Sequence, residues 1–440
     1  MTLKAKVIGG GLAGSEAAWQ LARQGVAVEL HEMRPVRETK AHHTNLLGEL
    51  VCSNSLGAFG EGSASGLLKA EMRRFDSLIL SSAQKAAVPA GGALAVDRDV
   101  FAGAITEAIE QHPNITLVRD EVTSLDPEVP TIIATGPLTS PALSEAIQKA
   151  AGVEHLHFYD AAAPILTLES VNQDKIFKAA RWNKGEGVYL NCPMTKDEYE
   201  AFWNELIKAE GAVLHLGDEE KNFFEGCLPV EVIARRGIDT LRYGPLKPVG
   251  LDDPRTGRWP YAVVQLRQDN VAGDLYNLVG FQTQLKWGEQ KRVFRMIPGL
   301  EEAEFVRLGV MHRNTYLASP SFLDASLQWR DRPLWFVAGC LVGVEGYTES
   351  AASGALAGYN LARVLKGEEP LVLPRTTMLG SLMHYVSHAD PKHFQPMNSN
   401  WGIIEPLDGP KVKDKQLRHQ KQAERALAEL DRVLGGALTV

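Results

Sequence analysis

The strongest constraint on this chain lies in its first 32 residues. Lys4 to Ile8 is a short β-branched run, Gly9-Gly10-Gly11-Leu12-Ala13-Gly14 follows, and an Ala-rich, helix-prone segment then runs to Gly25. Val26 to His31 reads as a second strand, with Glu32 at its carboxyl end, 18 residues beyond Gly14. Strand, glycine turn, helix, strand and acid in that order make the fingerprint of a dinucleotide-binding unit. Gly9 permits the tight turn, with Gly10 beside it. Gly11 lets backbone N–H groups approach a pyrophosphate, and Gly14 lets helix and strand pack closely. Glu32 would accept hydrogen bonds from ribose hydroxyls. Its charge disfavours a 2′-phosphate, which leaves FAD or NAD.

That unit cannot account for the whole chain. At roughly 100 to 200 residues per domain, 440 residues suggest two to four domains. Val129 to Gly136 has the pattern of a buried strand ending in glycine, and so does Leu334 to Gly339. Both suit later strands of the same sheet. Gly343 to Ser350, with Gly346 and Tyr347, then opens an Ala- and Gly-rich helix reaching about Leu365. A dinucleotide fold that resumes near residue 330 must carry an insertion. The intervening segment alternates apolar strands, such as Ala163 to Leu168 and Val263 to Leu266, with helical stretches. The expected organisation is therefore α/β: a Rossmann-type FAD-binding domain over 1–153, an inserted mixed α/β domain over 154–330, and a resumed FAD-binding part with a helical tail over 331–440. FAD is favoured over NAD because a resumed final strand and helix points a helix N-terminus at a flavin, where its dipole favours the anionic reduced ring. Gly136, Gly339, Gly346 and Tyr347 join the fingerprint residues as cofactor-binding candidates.

Charge and cysteine content narrow the chemistry. A net charge of −8 argues against a wholly basic nucleic-acid surface, but Arg235 to Arg295 carries eleven Lys or Arg against six Asp or Glu. Arg235, Arg236, Lys247, Arg255, Arg258, Lys286, Lys291 and Arg292 from this stretch are the candidate RNA contacts, with the charged helical stretch from Lys411 to Leu434 a second place to look. The four cysteines are too dispersed for zinc pairs and too few to staple the fold, and the histidines show no metal spacing. No metal is expected, and no run approaches the roughly 20 apolar residues of a membrane helix. The reading is a soluble, cytoplasmic protein with reduced thiols, taken as a monomer.

Longer motifs add a resemblance. Cys52-Ser53-Asn54-Ser55-Leu56, Ala93-Leu94-Ala95-Val96-Asp97-Arg98, Tyr243-Gly244-Pro245-Leu246-Lys247-Pro248-Val249-Gly250, Gly280-Phe281-Gln282-Thr283 and Arg295-Met296-Ile297-Pro298-Gly299-Leu300 together resemble the TrmFO family over nearly the whole chain. The resemblance implies a GidA-like fold and folate- and FAD-dependent methylation of uridine C5 in the T loop of tRNA, at position 54. It further implies 5,10-methylenetetrahydrofolate as one-carbon donor and NADH or NADPH as the reductant of the flavin. GidA (MnmG) proteins share the FAD fingerprint but carry a further C-terminal helical domain. A GidA-like enzyme acting on a wobble uridine is the nearest alternative; a tRNA-binding flavoprotein without turnover, or a flavin redox sensor, is the alternative from another class.

The same resemblance assigns two thiols. Uracil C5 is a poor nucleophile until a soft thiolate adds to C6. Cys227, in a Gly- and Pro-rich turn shortly before Arg235 and Arg236, is the implied nucleophile, since nearby arginines raise the thiolate fraction. Cys52, in a Ser/Asn/Gly loop, is the second functional thiol, assisting as a base or protecting the flavin. Cys192 adjoins a helix cap at Thr195, and Cys340 follows a core strand; both are read as structural. Met311 to Tyr316 offers donors and a ring able to stack on a pterin or base.

Overall fold

The computed structural model describes residues 3–39, 41–152, 155–161, 163–183, 189–211, 228–309, 311–410 and 412–437. The fingerprint forms β1 (Lys4–Ile8), α1 (Leu12–Arg23) and β2 (Ala27–His31). There follow β3 (Ser55–Ala58), α2 (Ala64–Arg74), α3 (Leu78–Lys85), β4 (Ala87–Val88), β5 (Ala93–Val96) and α4 (Arg98–Gln111). Then come β6 (Ile115–Val118), β7 (Thr131–Ile133) and α5 (Pro141–Ala151).

The chain next passes through β8 (His155–Ala161), β9 (Ile165–Thr167), β10 (Phe177–Ala179), β11 (Tyr189–Met194) and α6 (Lys196–Lys208). It continues through α7 (Val230–Arg235), α8 (Thr240–Tyr243), β12 (Ala262–Gln268), β13 (Leu275–Leu278), α9 (Trp287–Phe294), β14 (Phe305–Arg307) and β15 (Met311–Leu317). It ends with β16 (Gln328–Trp329), β17 (Arg332–Val337), α10 (Tyr347–Leu365), α11 (Met378–His388) and α12 (Lys415–Ala437).

Two sheets organise these elements. The first has the described strand order β16-β17-β7-β1-β2-β6, parallel except for β16. Leu30, Val7, Ile132 and Phe336 face one another across four strands, all fully buried. Such β-branched and aliphatic rows suit a parallel sheet covered on both faces. Strand order reverses at β1, with β2 on one side and β7 on the other, and α/β folds open their ligand crevice at the carboxyl ends of such strands.

Helices α1 and α10 pack side by side in the same direction because glycine removes the side chains between them. A methyl group at Gly354 would stand 2.2 Å from the Ala13 carbonyl, and one at Gly358 would stand 2.5 Å from that of Ala17. This close approach brings two helix N-termini to the same end of the sheet. The tail is tied to this unit as well. Ala423, Ala426, Leu430 and Leu434 of α12 join its core, and Arg74 of α2 pairs with Asp431 at 3.1 Å.

The second sheet, β10-β11-β12-β13-β9-β14, is antiparallel throughout. Helix α6 starts at the Thr195–Glu198 capping box and lays Tyr199, Phe202 and Leu206 into a core shared with Phe281 and Phe294. Strands β8 and β15 pair antiparallel from Ala161–Met311 to His155–Leu317 and link the two units. Phe322, Leu323, Leu327 and Trp329 lie in the first core, so the chain has rejoined that unit before residue 330. Among the described residues no helix is long and apolar enough to cross a membrane.

Candidate cofactor and thiol site

A cavity of about 370 Å³ opens at the carboxyl ends of β1 and β7. Gly9, Gly11, Glu32, Gly136, Gly339, Gly346 and Tyr347 all line it, together with Cys52. Backbone geometry explains the glycines. Gly9 has φ +105, and a methyl group there would lie 2.5 Å from the Ala134 carbonyl. A methyl at Gly14 would come 1.8 Å from the Gly9 carbonyl, whereas Gly11 has nothing within 4 Å on that side. Gly14 thus closes helix against turn, and Gly11 leaves room for a ligand. Gly10 sits behind the wall, where its N–H donates to Glu32 at 2.8 Å.

Glu32 is buried and held by its donors. Its other carboxylate oxygen accepts from the Arg34 backbone N–H at 3.0 Å and from the Arg34 guanidinium at 2.9 Å. Burial pushes the carboxyl up, but the Arg34 guanidinium and the backbone donors outweigh it and hold the group below its ordinary value. The carboxylate is therefore charged at neutral pH and stands at the cavity wall as an acceptor. With the N-terminal turns of α1 and α10 also on the wall, this cradle fits an extended dinucleotide: anionic in its middle, hydroxyl-bearing at one end.

The opposite wall is the loop from Leu50 to Asn54, and distant residues hold it. The backbone N–H groups of Cys52 and Ser53 both donate to the Tyr347 hydroxyl, at 2.7 and 3.2 Å. Arg98 donates to the carbonyls of Leu50 (2.6 Å) and Cys52 (3.3 Å) and pairs with Asp269 of the inserted unit at 3.2 Å. Arg307 donates to the Val51 carbonyl at 2.6 Å, and Arg267 reaches Asn54 at 3.1 Å and Ser53 at 3.3 Å. Asn277 completes the clamp, donating to Asn54 (3.1 Å) and Asp269 (3.0 Å). Burial pushes the guanidinium pKa values of Arg267 and Arg307 down and that of the Tyr347 phenol up. Three guanidinium groups thus hold this loop, and of the three Arg98 is the one whose pairing carboxylate, Asp269, is seen among the described residues.

A second cavity, of about 290 Å³, lies behind this loop and between the two units. Cys52, Ser53, Ser55 and Gln282 line both cavities, while Arg98, Arg267, Asn277 and Gly280 line the second. Arg267 and Arg307 carry no motif of their own in the sequence. Only their spacing in apolar strands, a cation where a buried neighbour is expected, marks them.

The other candidates are scattered by comparison. Cys227 lies outside the described residues. Cys192 is fully buried in β11, and burial pushes its thiol pKa far up, which makes it inert. Cys340 stands on the cavity wall with its sulfur 3.2 Å from the Ser350 hydroxyl. The Tyr316 ring packs in the first core against Phe394 rather than offering a face to a ligand. All eight basic candidates are exposed, yet several pair internally: Arg255 with Asp253 (2.7 Å), Lys286 with Glu210 (2.5 Å), and Arg292 with Glu205 and Glu289. Lys247, Arg258 and Lys291 make no such side-chain pair among the described residues. Among those residues, too, no three His, Cys, Asp or Glu side chains gather as a metal site would require.

Comparison with known proteins places this geometry. Residues 4–369 match the family model described as glucose inhibited division protein A. In solved structures, GidA of Aquifex aeolicus superimposes with a TM-score of 0.69 over 99% of this chain and 76% of that one, at 17% identity, a likeness of fold. Among curated proteins, one from Symbiobacterium thermophilum is 62% identical over 96% of this chain and 95% of its own length. One from Anoxybacillus flavithermus is 57% identical over 98% of this chain and 99% of its own. Both bear the name methylenetetrahydrofolate–tRNA-(uracil-5-)-methyltransferase TrmFO. With a dinucleotide cradle, a GidA-like fold and this identity along nearly its full length, the chain belongs to the TrmFO family.

Proposed function

We propose that the protein methylates C5 of a uridine in the T loop of tRNA, at position 54, taking the carbon from 5,10-methylenetetrahydrofolate and electrons from reduced FAD. The observation that carries the chemistry is the position of Cys52 on a wall common to two cavities, one of them a dinucleotide cradle. When bound, FAD supplies a two-electron redox centre and NADH or NADPH restores it. The reaction takes place in the cytoplasm, where thiols stay reduced.

The protein's own groups have distinct tasks. Gly9, Gly11 and the first turns of α1 and α10 hold the pyrophosphate, and Glu32 holds ribose hydroxyls. The Cys227 thiolate adds to uracil C6, which makes C5 carbanion-like and able to bond the folate-derived carbon. Once that bond has formed, Cys52 removes the C5 proton. With that proton gone the bond from the carbon to its donor breaks, leaving a methylene on C5, and the hydride equivalent that reduced FAD would supply when bound converts it to methyl as the Cys227 thiolate is expelled and the C5–C6 double bond is restored. The second cavity, which shares Cys52, Ser53, Ser55 and Gln282 with the first, receives the substrates between the units.

Two measurements test this reading. Methylenetetrahydrofolate labelled at its one-carbon unit should transfer label to tRNA, and S-adenosylmethionine labelled at its methyl group should not. The opposite pattern overturns the proposal. With 5-fluorouridine at the target, fluorine cannot leave C5 as a proton does, so a covalent protein–RNA complex should accumulate. Cys227→Ala should abolish that complex and keep the flavin spectrum. A complex that persists in Cys227→Ala and vanishes in Cys52→Ala would exchange the two roles.

A further inference from the structure

The segment Tyr243 to Gly250 contributes no side chain to the dinucleotide cavity, but it is built as a bracket. At one end, Gly280 on the wall of the second cavity has φ +76 and packs against Pro245, where a methyl group would stand 2.5 Å from the proline Cβ. At the other end, Gly250 has φ +83 and seats the indole of Trp182, which a methyl group would meet at 2.8 Å. The Trp182 backbone N–H donates to the Gly250 carbonyl at 2.7 Å. Beside it the Arg181 guanidinium donates to the Val249 carbonyl at 2.8 Å and to Gln265 at 3.1 Å. The bracket therefore runs from the second cavity to a fixed aromatic ring.

That ring is in water. Trp182 is 59% exposed and holds φ +59, a backbone region that bulky L side chains rarely adopt. Trp259, 47% exposed, meets it edge to face with ring centroids 5.8 Å apart and planes at 87°. Burial does not explain why a strained backbone should present two large rings to solvent, and strain of this kind persists where function uses it. Two exposed cations lie close by in sequence. Arg258 precedes Trp259, Lys247 lies within the bracket, and both are exposed without a side-chain partner among the described residues.

We propose that Trp182 and Trp259 form a stacking platform for one unpaired base of the RNA substrate, a base other than the uracil that is modified. This rests on the tRNA reading above and adds a site to it. An unpaired base presents a π-face that a rigid indole can cover, and its phosphate suits Arg258. A base inside a duplex is already stacked and offers no such face. The bracket, anchored where Gly280 meets Pro245 and where Gly250 meets Trp182, fixes the spacing between the target uracil and the stacked base.

The test uses the FAD-loaded full chain with two fluorescently labelled RNAs: a T-arm stem-loop, and a blunt duplex of the same stem. Trp182→Ala and Trp259→Ala should each weaken stem-loop binding about tenfold, the order of one lost base–aromatic stack. Duplex binding and the salt slope should not change, and Trp182→Phe should retain most of the affinity. Retained flavin absorbance reports that each variant is folded. Stem-loop affinities equal to the parent's would overturn the platform, as would equal weakening of both RNAs. Sedimentation that shows a dimer lost in Trp182→Ala, with RNA affinity unchanged, would make the pair an interface between copies instead. If the parent chain binds no T-arm RNA, the tRNA reading falls along with the platform. If the parent binds and methylates it and the alanine variants bind as tightly, the platform alone falls.

Discussion

The two walls of the dinucleotide cavity are held in opposite ways. The wall of Gly9 to Gly14 is held by itself: a helix packs on the turn it follows, and Glu32 returns only 22 residues later to accept the Gly10 N–H. The wall of Leu50 to Asn54 is held by Arg98, Arg267, Asn277, Arg307 and Tyr347, donors and acceptors 46 to 295 residues away. The first wall is a property of a short peptide sequence. Arg98 and Tyr347 belong to the cavity's own unit and Arg267, Asn277 and Arg307 to the inserted one, so the second wall is completed across both units and couples the cofactor cavity to the domain behind it.

The largest effect should come from the self-contained wall. Gly14→Ala forces a methyl group into the Gly9 carbonyl and is expected to cost about 3 kcal/mol, with flavin lost on purification. Gly11→Ala meets no protein atom, so its stability should stay within about 0.5 kcal/mol of the parent, while flavin affinity falls because the methyl enters the cavity. Urea unfolding of the flavin-free chains, beside a flavin titration, separates the two. If both variants behave alike, the distinction between closing the turn and leaving room for a ligand is wrong.

Next in size is the wall built at a distance. Arg98→Ala leaves the Leu50 and Cys52 carbonyls without the Arg98 donor and the buried Asp269 carboxylate with the Asn277 amide but no guanidinium in contact. Flavin affinity should change little, because the glycine turn is untouched. Methylation should fall about 100-fold, as expected when a reacting group is displaced by an ångström or so. Hydrogen exchange over 50–54 should quicken. A variant that instead loses flavin and activity together would show that the two walls are not independent.

This contrast also explains what could be read from the sequence. Gly9, Gly11, Glu32 and the glycine-ended strands β7 and β17 carry local geometry, and each was legible as part of a dinucleotide fold. Tyr347 was legible as a helix start and a cofactor-binding candidate, but nothing local says that its hydroxyl accepts from Cys52 and Ser53. Arg267 and Arg307 were not legible, because a lone cation in an apolar strand has meaning only beside the loop it clamps. Tyr316 shows the converse: a ring beside polar residues reads as a ligand contact, yet the fold turns it into the core.

Two buried carboxylates allow a finer test through pH. Glu32 has a guanidinium in contact, and its folded pKa lies below its ordinary 4.5. The stability it contributes is present above that value and is lost as pH falls through the lower, folded one. Glu71 likewise accepts two backbone N–H groups, from Met378 (2.7 Å) and Leu379 (2.8 Å), but no guanidinium among the described residues hydrogen-bonds to it. Burial pushes it up to about 7. Its folded form holds the proton longer than the unfolded chain does, so stability falls as pH rises from 4.5 through about 7. Glu71→Gln should flatten the loss of stability toward neutral pH, and Glu32→Gln should flatten the acid limb. Unfolding midpoints measured across pH that leave both limbs unchanged would refute the opposed settings.

The smallest effect concerns charge that the sequence counts and the fold redistributes. Arg258 and Arg292 belong to the same basic stretch and look equivalent in composition. Arg292 is held between Glu205 and Glu289, whereas Arg258 extends into solvent beside Trp259 with no partner among the described residues. Binding of RNA releases counterions in proportion to the phosphates that cations neutralise, and a cation already neutralised by carboxylates releases few. Arg258→Gln should therefore reduce the slope of log affinity against log salt by about 0.7 to 0.9, and Arg292→Gln should reduce it by much less. Lys247→Gln should follow Arg258, and Lys286→Gln, whose ammonium pairs with Glu210, should follow Arg292. Equal slopes for all four would mean that RNA pulls these ion pairs apart on binding. In that event the basic stretch would act as the composition alone suggests, and the contrast between local and assembled features would stop at the cavity walls.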